Sequence, residues 1–398
     1  MKKFFGKYLH RIFLITIGLV AIVILNLTLF KILLKYQDAQ KTNTELRQSI
    51  SGNEESIRNL QSETAQLKGE DLRKTNDGLK LEIDNIKKSF KSAVGLYEQI
   101  LILKEGGSTG TSMESKLSSI LNFLSQDNLP SAQKTGDTLL AEINKEKAKQ
   151  ASQKVAAIPA NVPEISGAPA SGYRRQKVTV GDASFLVDII SADLNSTKVI
   201  VDTASDSTCG NNCPVLPLAT YVSRSNAYAG INGTYFCPET YPSCVDKKNA
   251  FDILVMNKNK VYFNSDNNVY SSVPAAIFSG NSARFVGKSS EWGRDTGVDA
   301  VIANRPLLML DGNLMFGAGG EDKETIKSNR SFLGASGSTA YIGVVHSATV
   351  AESAKVLQAM GIRSAINLDS GGSTALWSGG YKVGPGRNLP NVVLFVRR

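Results

Sequence analysis

Residues 365–377 read Ala-Ile-Asn-Leu-Asp-Ser-Gly-Gly-Ser-Thr-Ala-Leu-Trp. An apolar run delivers Asn367 and Asp369, breaks into Gly371-Gly372 among Ser370, Ser373 and Thr374, and closes on Trp377. Glycines at such a break let backbone N–H groups approach an anion with no Cβ in the way. A carboxylate beside them can move a proton or hold a cation. The pattern points to chemistry on a phosphorylated or otherwise anionic substrate. Two further clusters are polar in the same sense. In Gly230-Ile231-Asn232-Gly233-Thr234-Tyr235-Phe236 the amide of Asn232 suits a substrate oxygen. In Ser328-Asn329-Arg330-Ser331 an arginine enters a strand, where it could clamp a phosphate with two parallel hydrogen bonds. Each cluster alone also fits a plain role: a strand-to-turn Asn-Gly, a surface arginine, or a glycine turn beside a capping aspartate.

Several chemistries are excluded. The only histidines are His10 and His346, too few for a multi-histidine zinc site. A Ser-His-Asp triad would have to use His346, with no G-x-S-x-G elbow to support it. Neither a GxGxxG nor a Walker loop occurs, so nucleotide binding has no motif. The net charge is +9, but much of the basic excess lies near the N-terminus and in a lysine-rich helical region. The C-terminal half has no Arg/Lys face interleaved with aromatics, which argues against nucleic acid as a partner.

The elements that must carry the clusters fall into five segments. A basic tail, residues 1–11, holds Lys2, Lys3, Lys7 and Arg11. The apolar run over 12–34 is long enough to cross a bilayer as a helix. It exceeds a signal-peptide core, and no small-x-small cleavage site follows, so an uncleaved anchor is expected. Positive charge before the span places the N-terminus in the cytoplasm and the rest of the chain outside it. Residues 38–157 carry apolar positions at four-three spacing: Leu46, Ile50, Ile57, Leu60, then Ile83, Ile86, Phe90, Ala93, Tyr97, Ile100. Met113/Leu117/Ile120/Leu124 and Leu139/Leu140/Ile143 repeat the pattern. This reads as a coiled-coil stalk able to form a homo-oligomer, or else as a helical spacer or small bundle without a partner. Residues 158–172 form a linker rich in Pro, Ala, Ser and Gly.

Residues 173–398 change to short strands bounded by turn residues, with helices expected over 215–225 and 350–360. The fold class is α+β: a strand-rich C-terminal domain with few helices, preceded by a transmembrane helix and a helical stalk. The four cysteines, Cys209, Cys213, Cys237 and Cys244, all lie in the exported part. Their spacing is poor for a four-cysteine zinc site, so two disulfides are expected, with local pairing taken among the three connectivities.

In combination the clusters are more specific than any one of them. Asn-Gly-x-aromatic-Phe, then Arg-Ser, then Asn-Leu-Asp-x-Gly-Gly-Ser resembles the phosphodiester glycosidase family over about residues 173–398, whose patterns are N-G-G-[FY]-F and N-L-D-G-G-G-S. Thr234 and Ser370 stand where those patterns have glycine. If position 370 needed a positive φ, serine would strain it. The resemblance implies a hydrolase acting on sugar 1-phosphodiesters, such as those of envelope glycopolymers. It implies Asp369 as acid, base or transition-state stabiliser. Arg330 with the backbone around Gly371 and Gly372 would hold phosphate. Asn232 and Asn367 would orient substrate, and Ser373 and Thr374 would add phosphate hydrogen bonds. Glycosidases often pair two carboxylates; the sequence does not identify the second, for which Asp299, Asp311 and Glu352 are candidates. No cofactor is assigned, and a divalent cation stays open, because Asp369 and neighbouring oxygens suit a hard ion. The competing reading is a glycan- or envelope-binding module on a stalk, without turnover.

Overall fold

A computed structural model describes residues 2–67, 70–105, 107–152, 158–265, 272–295, 297–317 and 322–398. The chain divides into two compact units, Met1–Asn85 and Ile86–Arg398.

The first unit is dominated by helix α1, Lys2–Leu67. It contains an 18-residue window of mean hydropathy 2.6, with no residue of that window buried among the described residues. Phe13, Leu19, Ile24 and Phe30 all point into the surroundings. A helix apolar on every side is stable only where its whole circumference meets an apolar medium, so this one is long and apolar enough to cross a membrane. Further along, Leu46, Ile50, Ile57 and Leu60 are also exposed.

The second unit begins within helix α2, Glu70–Glu105, and continues through α3, Thr111–Ser125, and α4, Leu129–Ser152. Here the four-three spacing is used inside one chain. Met113, Leu117, Ile120 and Leu124 of α3 pack with Ala93, Leu96, Ile100 and Leu103 of α2 and with Leu139 and Ile143 of α4. One apolar stripe per helix is what a three-helix cluster requires.

Among the described residues the β-rich part contains three antiparallel sheets. The largest comprises β1 (Gly172–Val180), β2 (Ala183–Asp193), β10 (Leu307–Leu310), β11 (Asn313–Leu314), β12 (Ser328–Ser336), β13 (Thr339–Ala348) and β14 (Ser364–Asn367). Its order is β1-β2-β13-β12-β14-β10-β11. The second is ordered β16-β15-β4-β17-β3, from β3 (Thr197–Thr203), β4 (Ala229–Asn232), β15 (Leu376–Ser378), β16 (Tyr381–Val383) and β17 (Asn391–Arg397). The third is ordered β6-β5-β9-β7-β8, from β5 (Val255–Met256), β6 (Tyr262–Phe263), β7 (Ala275–Ser279), β8 (Ser282–Val286) and β9 (Ala300–Ala303). One core joins all three: Ile190, Leu333, Ile342 and Ile366 meet Val201, Ile231 and Phe395 as well as Val255, Phe278 and Ile302. Helices cover the outer faces. Helix α5, Leu218–Arg224, packs Leu218, Tyr221 and Val222 on the second sheet. A one-turn α6, Asp322–Thr325, precedes β12. Helix α7, Val350–Ala359, seats Val350, Ala354, Val356 and Leu357 on the largest sheet. It starts with a Thr349/Glu352 capping box and ends before Gly361, which takes a φ of +75°.

Strand β12 begins at Ser328, so Arg330 does enter a strand. Its Ser-Asn-Arg-Ser start lacks alternation because Arg330 and Ser331 are both buried between neighbouring strands. A central strand covered on both faces need not alternate. The disulfides form as expected, Cys209–Cys213 and Cys237–Cys244.

His346 belongs to the largest sheet and serves a buried network. Its Nε2 is 2.7 Å from Asp188, which also accepts hydrogen bonds from Tyr173 at 2.6 Å and Arg175 at 2.8 Å. Burial opposes the Asp188 charge, but the hydrogen bonds from His346, Arg175 and Tyr173 win and hold its pKa at about 2. A carboxyl whose folded pKa lies below its unfolded value stabilises the fold above the unfolded value and loses that contribution as pH falls toward the folded one. Asp188 should therefore contribute about 2 kcal/mol near neutral pH and lose it between about pH 4 and pH 2. Acid unfolding of Asp188→Asn beside wild type checks this; the variant should lack that part of the acid sensitivity.

Candidate active site

The three polar clusters converge where β4, β14 and the start of β12 end together. Asn232 closes β4 and is fully buried. Its Nδ2 donates to the Asp369 carbonyl at 2.6 Å, and its Oδ1 accepts from the Ser331 hydroxyl at 2.8 Å and the Ala375 N–H at 3.1 Å. One amide thus ties all three clusters. The Asp369 N–H donates to Gly233 O at 2.9 Å, completing the strand-end junction. Gly233 is required there, because a Cβ would lie 2.7 Å from the Asn391 carbonyl oxygen. Thr234 fits in place of the family's glycine: its Oγ1 accepts from Asn391 Nδ2 at 2.9 Å.

Asn367, at the end of β14, is buried and holds the local backbone. Its Nδ2 donates to Tyr235 OH at 2.7 Å and to the carbonyls of Leu368 and Arg305. Asp369 follows and lines a cavity of about 100 Å³ with Ser370, Gly371, Tyr235, Arg330, Arg387 and Glu105. Protein crowds the carboxyl closely although it keeps an opening to the cavity. Burial raises its pKa to about 6, against the Ser373 hydroxyl, the Arg387 charge and the Ser370 N–H, which favour ionisation; Glu105 adds to the rise. The Ser373 hydroxyl is buried beside Asp369 without a hydrogen bond of good geometry. Thr374 turns away and donates to Asn329 O at 3.2 Å.

Ser370 has φ −139°, ordinary extended backbone, and the left-handed residue of the turn is Gly371 at φ +61°. Serine at 370 is therefore unstrained, and its N–H donates to Asp369 Oδ1 at 2.9 Å. Ser370→Gly should change unfolding free energy by less than about 1 kcal/mol, whereas Gly371→Ala should cost about 1–2 kcal/mol for the disfavoured φ. Denaturant midpoints of the two variants check this.

Arg330 is almost wholly buried on the cavity wall. Its Nε donates to Ala348 O at 3.0 Å, and its Nη2 donates to Lys323 O at 2.8 Å and to Ile326 O. Burial draws its pKa below the usual guanidinium range. None of Asp299, Asp311 and Glu352 lines the cavity. Asp299 pairs with Lys198 and Arg398, and Glu352 caps α7. Asp311 sits in the turn between β10 and β11 with φ 50°. Glu105, at the end of α2, is the cavity-lining carboxylate besides Asp369. Among the described residues, no group of three or more histidine, cysteine or acidic side chains is gathered as a metal-ligand set.

Arg387, Tyr241 and Glu105 were not visible as site residues. Arg387 had a faint signal in the run Gly384-Pro385-Gly386-Arg387, a glycine turn feeding an arginine. Tyr241 lies inside the Cys237–Cys244 loop. Glu105 had no signal, because a helical glutamate reads as solvated surface.

The phosphodiester glycosidase family model matches residues 225–396, the stretch that contains Asn232, Arg330 and Asp369. Those residues form a phosphodiester glycosidase domain. No curated protein sequence matches the chain. Among solved structures, the chain is similar to the zebrafish N-acetylglucosamine-1-phosphodiester alpha-N-acetylglucosaminidase catalytic domain, solved auto-inhibited by its pro-peptide, at 14% identity and a TM-score of 0.45, over 60% of this chain and 87% of that one. It is also similar to a hypothetical protein from Synechocystis at 12% identity and a TM-score of 0.40, over 57% of this chain and 62% of that one. The chain thus spans less than two thirds of the Synechocystis protein's length.

Proposed function

We propose that the protein is a membrane-anchored, extracytoplasmic hydrolase that cleaves sugar 1-phosphodiesters, such as those of envelope glycopolymers. The observation that carries this reading is Asp369. It is a carboxyl brought to about 6 by burial, at a Gly371-Gly372 turn within the phosphodiester glycosidase domain. A phosphate leaving group needs little protonation, so the demanding step is activating water at the anomeric carbon. A carboxylate with a pKa near 6 is mostly ionised at neutral pH and still basic enough to take a proton from that water. The water oxygen bonds to the anomeric carbon, the carbon–oxygen bond to phosphate breaks, and the phosphomonoester leaves with the electron pair. The proton passes to Asp369. Asn232 and Asn367 set the backbone that aims the carboxylate, and Arg330 lends positive charge from the wall. The Gly372 N–H is the donor that the turn offers an incoming phosphate.

The apolar helix over residues 12–34 and the two disulfides support a single-pass protein with its C-terminal domain in an oxidising compartment. Exposed Leu46, Ile50, Ile57 and Leu60 leave room for a homo-oligomer through α1. The decisive experiment gives full-length protein in detergent micelles an N-acetylglucosamine 1-phosphodiester and related sugar 1-phosphodiesters. Release of free sugar and phosphomonoester is expected. Binding without turnover of any of them would leave only a glycan-binding module.

A further inference from the structure

The end of α2 places a carboxylate over the glycine turn. Glu105 Oε1 pairs with the Arg387 guanidinium and accepts from the Tyr241 hydroxyl at 3.2 Å, while Oε2 accepts from the Gly372 N–H at 3.2 Å. Three donors from three separate loops, one of them charged, converge on one oxyanion. Lys323 lies 5.0 Å from the centre of the Tyr241 ring, adding a second positive charge beside it. Arg387 is braced by its own N–H, which donates to Gly372 O at 2.9 Å. Burial works against the Arg387 charge, but Glu105 and Asp369 hold its pKa above the usual range. The turn is shaped for a close-lying anion: a Cβ on Gly371 would come within 2.8 Å of a Glu105 oxygen. A second contact holds the helix down, the Ser243 N–H donating to Glu98 at 2.8 Å.

We infer that Arg387, the Gly372 N–H and Tyr241 form an oxyanion subsite for the phosphodiester group, and that the Glu105 carboxylate occupies it until an anionic substrate displaces it. The inference rests on the hydrolase reading only for the identity of its ligand. Space supports it. With Glu105 and Ile102 in place the cavity is about 100 Å³, well below the roughly 300–1,000 Å³ of ordinary ligand pockets. Withdrawing the Glu105 carboxylate would free the turn and the Arg387 fork for a phosphodiester. A quarter of each side chain in the Glu105–Arg387 pair reaches solvent, so a competing anion can meet the pair from outside. Phosphate offers the same subsite more acceptor oxygens for the Arg387 fork than a carboxylate does. The subsite and Asp369 share one cavity, so the phosphate would lie next to the carboxyl that activates water.

The test is equilibrium binding of inorganic phosphate to full-length protein in micelles. Glu105→Gln keeps the side-chain shape and removes the charge; it should bind phosphate at least about tenfold more tightly than wild type. Adding Arg387→Ala should abolish the gain. Glu98→Ala, which frees the helix without touching the subsite, should raise phosphate affinity in the same direction and guards against misfolding of the first variant. Unchanged affinity in both Glu105→Gln and Glu98→Ala, or a gain that survives loss of Arg387, overturns the inference. The outcome separates from that of the hydrolase reading. Arg387-dependent phosphate binding with no hydrolysis of any sugar phosphodiester leaves the subsite standing and removes the enzyme. Hydrolysis with phosphate affinity indifferent to Glu105 does the reverse.

Discussion

Replacing Asp369 with Asn should lower kcat on a sugar 1-phosphodiester by about 10²–10⁴-fold, the range by which positioned proton transfer accelerates such steps. The amide can still accept a hydrogen bond from the Ser370 N–H, so the turn should survive and substrate affinity should fall far less than turnover. The pH dependence follows from the same carboxyl. In the proposed mechanism its ionised form is the active one, and its pKa is raised to about 6. Activity should therefore be nearly flat above about pH 7 and fall close to tenfold per pH unit well below 6. Steady-state kinetics across pH 4–8, with circular dichroism to confirm folding at each point, reads both. A variant retaining wild-type kcat, or a profile without an acid limb, would remove Asp369 from the proton transfer.

Replacing Asn232 with Ala should cost about 3–5 kcal/mol in unfolding free energy, among the largest single-site losses in the domain. The amide is fully buried and satisfies Asp369 O, the Ser331 hydroxyl and the Ala375 N–H at once. Alanine leaves all three without a partner in the same dry junction, and each orphaned group costs about 1–3 kcal/mol. Asn232→Asp should be damaging for a different reason. It keeps the acceptor but loses the donor to Asp369 O, and sets a second buried carboxylate near the first. Thermal unfolding followed by near-ultraviolet circular dichroism measures the loss. A drop below about 1 kcal/mol would mean the junction does not depend on this amide.

How far the sequence reached can be judged at particular residues. The glycine turn, the asparagines and Asp369 were legible because their chemistry is local: an apolar strand, a polar end and a Gly-Gly break are neighbours along the chain. Both disulfides were legible for the same reason, each closing a short loop. The stripe Met113, Leu117, Ile120 and Leu124 was legible as an apolar face, but nothing in its spacing says whether that face meets another chain or, as here, α2 and α4. Arg330 was legible as a functional arginine and is instead largely spent on backbone carbonyls, because burial forces a guanidinium to find acceptors.

By itself the sequence determined the apolar N-terminal helix, the strand-rich C-terminal domain, the glycine turn with its carboxylate, and the order in which the site clusters arrive. These depend on periodicity and short-range residue chemistry. Only the tertiary structure decided that Ser370 is unstrained, since φ is set by how the turn meets the strand ends. Only the tertiary structure brought Arg387, Tyr241 and Glu105 to Asp369, from positions up to 282 residues apart. Contacts at that separation are fixed by the packing of sheets and helices around one core, and no local pattern along the chain records them.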